Sequence, residues 1–119
     1  MTTNTLSFGT DAQGRNAYAP NISNLIYNAL ILQNAAQSIT LPIETNIHNY
    51  EVCFSYSSGS NVWVNYSGVA VSPINNSFQT TTSEYCPGQR LLPSGSTISF
   101  ITPDTSGAYV GVAIYAKTS

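Results

Sequence analysis

Apolar and polar positions alternate along much of this chain, and the alternation predicts strands. The clearest run is Tyr50 to Tyr56, where Val52, Phe54 and Tyr56 share one face and Glu51, Cys53 and Ser55 the other. Asn61 to Tyr66 alternates again, with Val62, Val64 and Tyr66 opposed to Trp63 and Asn65. Ser57-Ser58-Gly59-Ser60 between them is turn chemistry, so the pair reads as a β-hairpin. A second hairpin is predicted from Thr97–Ile101 and Tyr109–Ala116, joined by the turn at Asp104–Gly107. It offers Ile98, Phe100, Val110, Val112 and Ile114 as core.

The remaining segments carry weaker patterns. Residues 24–32 fit a helix through Ile22, Leu25, Ile26, Ala29 and Leu30, but also a strand with Leu25, Tyr27, Ala29 and Ile31 on one face. The strand is preferred, because 33–37 then connects it to a partner strand at Ser38–Leu41, which Pro42 ends. Val69–Val71 reads as a short strand, and the polar stretch 75–90 as a strand flanked by loops. Residues 1–20 carry Gly9, Gly14, Pro20 and scattered apolar residues, and read as an extended N-terminal arm. The fold class expected is all-β: a small antiparallel β-sandwich or barrel-like domain over residues 21–119, preceded by the arm 1–20.

Composition changes this picture in one respect. The chain has 119 residues, 42% of them hydrophobic but only 7% charged, against a typical ~25% charged. Its polar surface must therefore be built from Ser, Thr, Asn, Gln and Tyr. Such a surface offers little charge repulsion to keep copies apart, and it suits a protein partly covered by neighbours. A neutral extracellular-type β protein is the other reading. Net charge is −2, and the cations are Arg15, Arg90 and Lys117 alone. They form no basic footprint, so neither nucleic acid nor an anionic membrane is expected as a partner. Met1 to Thr10 has no basic and apolar leader pattern, so synthesis in the cytosol is expected. Cys53 and Cys86 are then expected as thiols, a disulfide being the alternative.

Catalytic chemistry finds little support. Asp11, Glu44, Glu51, Glu84 and Asp104 show no spacing signature of a carboxylate pair. His48 is the lone histidine and lies in a polar loop. No nucleophile elbow, phosphate-cradling loop or calcium loop occurs, and no enzyme activity, cofactor or metal is expected. Three glycosylation sequons begin at Asn21, Asn65 and Asn75, as chance allows in a chain rich in Asn and Ser. Trp63 has three readings: a plug for one end of the core, an interface residue, or a platform for a sugar ring.

From Tyr50 onward the chain resembles small structural proteins of tailed bacteriophages. The residues that carry the likeness are Cys53-Phe54-Ser55-Tyr56, Ser60-Asn61-Val62-Trp63-Val64-Asn65 and Thr82 to Arg90. Thr97 to Asp104 and Gly111-Val112-Ala113-Ile114-Tyr115 complete it, and together they cover a little over half of the chain. The resemblance implies a virion component: a capsid decoration (cement) protein, often a homotrimer, that binds and stabilises the assembled head. A tail, baseplate or head accessory protein of the same fold is the first alternative, and a carbohydrate-binding module the second. The partners implied are the major capsid protein or other virion proteins, and the location is the virion after synthesis in the host cytoplasm. No catalytic residue comes with the resemblance. The interface candidates are Trp63, Arg90, Arg15 and Tyr18.

Overall fold

The alternating runs become strands that fold across one another. The computed structural model describes residues 3–6, 8–10, 16–20, 22–74 and 76–117, and of 8–10 and 16–20 the backbone alone. It has β1 (Phe8–Thr10), β2 (Asn16–Pro20), β3 (Leu25–Ile31), β4 (Gln37–Thr40) and β5 (Asn49–Tyr56). These are followed by β6 (Trp63–Asn65), β7 (Glu84–Tyr85), β8 (Gln89–Pro93), β9 (Thr97–Ile101) and β10 (Ala108–Lys117). The all-β sandwich expected from the sequence is what forms: two four-stranded antiparallel sheets, β3-β10-β5-β8 and β4-β9-β6-β7.

From β3 to β10, every connection but one passes from one sheet to the other. The exception joins β6 to β7. This strand order is that of an eight-stranded jelly roll, two interlocked Greek keys closed face to face. It corrects the predicted pairings. β3 and β4, β5 and β6, and β9 and β10 are neighbours in sequence but lie in different sheets. The long strand β10 pairs instead with β3 on one side and β5 on the other, for example Val112 with Tyr27 and Phe54. β9 lies between β4 and β6. Residues 69–71 form no strand, and the stretch 75–90 yields two strands, β7 and β8, in opposite sheets.

The inward faces follow the alternation. Val52, Val64, Ile98, Phe100, Val110, Val112 and Ile114 are all buried, with Tyr50 fully enclosed at the start of β5. Their burial removes apolar surface from water and is the main force holding the sheets together. Phe54 links the layers through Phe100 (ring centroids 6.0 Å apart) and Tyr66 (6.5 Å). Gly111 on β10 sits at a close approach: a Cβ there would lie 2.5 Å from Ser55 Oγ and 2.9 Å from Asn28 Oδ1, and both side chains would have to turn away.

Within the segment read as an arm, the described residues behave in two ways. Thr3 is buried, and its amide donates to Glu44 Oε1 at 2.8 Å. The Ala116 amide donates to the Asn4 carbonyl at 2.7 Å, so residues 3–6 lie beside the end of β10. β1 and β2 pair with each other as a two-stranded sheet of their own. Tyr18 falls in β2, and Arg15 lies outside the described residues.

Candidate functional site

The site begins on β6, where sheet geometry sends successive side chains to opposite faces. Val64 points inward and is fully buried, so Trp63 and Asn65 face outward from the second sheet. Trp63 therefore does not plug the core. It is half-buried on the outer face, with its ring tilted against Tyr85 at a centroid distance of 5.0 Å.

Asn65 organises what covers that face. Its carboxamide nitrogen donates to Thr82 Oγ1 at 2.7 Å and Ser83 Oγ at 3.3 Å. Its oxygen accepts from the Ser67 amide at 2.8 Å. One buried side chain thus clamps both ends of the connection 66–83, the link that stays within a sheet. The first part of the connection is pinned further in as well. The buried Ala70 donates its amide to Ser99 Oγ at 2.9 Å, and Val71 donates to Ser83 Oγ at 3.2 Å. Connections this long without regular structure are uncommon in small domains, and many are binding loops. The carboxamide of Asn65, the acceptor position of one sequon, is thus engaged and enclosed in the folded chain.

The pinned connection divides the outer face into two hollows. One, of about 410 Å³, lies beside Trp63, with Val71, Pro73 and Phe78 among its walls. Asn76, Gln79 and Thr81 supply polar groups there, and among the described residues no charged side chain lines it. The other, of about 530 Å³, is bounded by residues 36–38, residues 66–69, Thr97 and Ser99. The loop leaves Val69, Val71, Ile74 and Phe78 exposed, and the Phe78 ring is wholly in solvent.

Arg90 has a different setting. It lies on the last strand of the first sheet, and its guanidinium reaches Glu84 on the last strand of the second. Nη2 is 2.5 Å from Glu84 Oε2, and Nε is 3.0 Å from Oε1. Tyr66 donates to the same carboxylate at 2.6 Å. The Arg90 hydrogen bond, and after it that from Tyr66, hold the Glu84 carboxyl below its ordinary value, against the opposing effect of burial. On the same side Tyr56 donates to the Pro87 carbonyl at 2.7 Å. Burial drives the Tyr56 and Tyr66 phenols well above their ordinary value, so both stay protonated donors. Arg90 is thus a brace between the sheets with its side chain 44% exposed.

The other polar candidates serve the fold. Asp104 accepts from the Asn61 amide and carboxamide, both at 2.9 Å, and those bonds depress its carboxyl. Burial works to raise the Glu44 carboxyl, but hydrogen bonds from Tyr50 and Thr3 outweigh it and lower it. His48 is exposed, and its carbonyl accepts from Ser94. Cys53 and Cys86 are both free, and burial raises the Cys53 thiol, which makes it less reactive. Among the described residues no three His, Cys, Asp or Glu side chains gather into a metal-binding group.

A second surface lies on the opposite side of the sandwich. Ile26 and Leu30 on β3 and Tyr109 on β10 share the outer face of the first sheet and are exposed. Tyr27 and Ala29 point the other way on β3, yet they are exposed too, because the short β4 does not cover them. β3 is an edge strand, so its far side is also open. The sequence showed β3 only as an ambiguous apolar run, and the loop hollow not at all. The available signal for the hollow was the long stretch 66–83 itself, with isolated apolar residues that fit no period. Compared with protein-family models, curated proteins and solved structures, the chain matches none.

Proposed function

We propose that this protein is a bacteriophage virion structural protein, a capsid decoration module that binds the assembled head and self-associates as a homotrimer. It acts by covering a seam between shell subunits, and no catalysis or cofactor enters the proposal. The observation that carries the reading is the β3 edge. Ile26, Leu30 and Tyr109 form an exposed apolar surface beside it, and Tyr27 and Ala29 continue that surface around the strand. Exposed apolar surface beside an open strand edge marks a place of protein association. A chain with 7% charged residues opposes such association with little repulsion. The jelly-roll order is also found in viral capsid domains, which supports the reading.

The test has two parts. Light scattering of the purified protein is expected to give a trimer. Sedimentation with assembled heads of the encoding phage is expected to carry the protein down, while unassembled shell subunits leave it behind. Leu30→Lys places a charge in the apolar surface and is expected to abolish head binding. A monomer that stays in the supernatant with assembled heads would refute the proposal.

A further inference from the structure

We infer that the hollow lined by Trp63, Val71 and Phe78 is a binding site for a neutral saccharide. It lies on the outer face of the second sheet, opposite the β3 surface, so a particle-bound protein would still present it outward.

Three features of the hollow select this ligand. The first is aromatic. Trp63 is held at a fixed tilt by Tyr85, and Phe78 lines the same hollow with its ring wholly in solvent. A pyranose presents an apolar C–H face that packs on such rings. The second is charge. Among the described residues, none that lines the hollow is ionisable. The nearby carboxylates are committed elsewhere, Glu84 to Arg90 and Tyr66, and Asp104 to Asn61. A phosphate or an acidic sugar would lose hydration and meet no countercharge. The third is the polar complement. Asn76 and Gln79 each carry a donor and an acceptor, and Thr81 a hydroxyl, which match the adjacent hydroxyls of a sugar. A purely apolar occupant would displace water from those amides and return no hydrogen bond.

Size and rigidity agree with these features. The volume of about 410 Å³ falls within the ~300–1,000 Å³ of ligand pockets. Asn65 holds Thr82 and Ser99 holds Ala70, so the two ends of the loop wall are anchored before any ligand arrives, which lowers the ordering cost of binding.

The chain has one tryptophan, so its fluorescence reports on this hollow directly. The protein is titrated with neutral gluco-, manno- and galacto-configured oligosaccharides. Inorganic phosphate and a sialylated oligosaccharide serve as charged probes. At least one neutral sugar is expected to give a saturable change in emission, and the charged probes none. Phe78→Ala is expected to weaken that binding at least tenfold with an unchanged thermal midpoint, since the Phe78 ring is fully exposed. No response to any neutral sugar would overturn the inference. So would a response confined to the charged probes, or wild-type affinity in Phe78→Ala. An emission change that depends on protein concentration without sugar would also overturn it, by showing that a second copy covers Trp63.

Discussion

The two long edges of this sandwich are built in opposite ways. Where β7 meets β8, Arg90 joins the sheets through Glu84, Tyr66 holds the same carboxylate, and Tyr56 donates to the Pro87 carbonyl in the link between the two strands. Where β3 meets β4, no side-chain hydrogen bond or ion pair crosses between the strands among the described residues. A slit of about 100 Å³ opens there instead, with Ile39, Phe100, Val110 and Val112 at its base. The first edge is closed by directional bonds that need no partner. The second is left apolar and uncovered, which is the form an edge takes when another molecule completes it. The contrast separates the residues that hold the fold from those free to bind.

The largest effect is expected from the apolar side. Phe100 is buried at the slit and touches Phe54 across the core. Phe100→Ala removes that contact and leaves a void, at a cost of about 3–5 kcal/mol. Urea denaturation would show it as a lower midpoint. A loss below 1 kcal/mol would mean that the open edge contributes little to holding the sheets together.

The closed edge is expected to yield less to any single change. Tyr66→Phe removes one hydrogen bond to Glu84 and is expected to cost about 1 kcal/mol, because water replaces part of what is lost. The Arg90–Glu84 pair is substantially exposed and screened, so its geometry contributes more to alignment than to stability. The same edge is expected to be sensitive to acid. Glu84 has a folded pKa below its ordinary 4.5, so the unfolded chain binds more protons between the two values. The stabilisation is complete above about pH 4.5 and is lost as pH falls through the folded value. Asp104 shifts in the same direction and adds to the effect. Glu84→Gln is expected to flatten the fall in thermal midpoint below pH 4.5. An unchanged acid profile in that variant would remove Glu84 from the account.

These edges also mark how far the sequence could be read. The alternation of Tyr50–Tyr56 and of Ile98, Phe100, Val110, Val112 and Ile114 identified the strands and the inward residues, because burial on one face demands that period. It did not identify partners. Sheets pack ~10 Å apart and an extended residue covers ~3.3 Å. The loops 57–62 and 102–107 can therefore cross between sheets as readily as they can turn within one. Both predicted hairpins failed for that reason. Glu84 and Arg90 are close in sequence, and their pairing was foreseeable as a local contact. Its role between sheets was not, because β7 and β8 were read as one strand. Residues 66–83 carry no period at all. Their two ends are placed by Asn65, Ser99 and Ser83, whose hydrogen bonds depend on the finished fold.

The smallest change in stability is expected where the largest change in association is expected. Leu30 is exposed on an edge strand, and its side chain points away from the core. A lysine there keeps the methylene stem on the sheet and places the ammonium in water, so folding stability should move by no more than about 0.5 kcal/mol. Unchanged denaturation together with lost head binding would locate the contact on the β3 surface. A substantial loss of stability would instead show that Leu30 supports the monomer. The exposed apolar face would then be a feature of folding, and the contrast between the two edges would no longer separate fold from function.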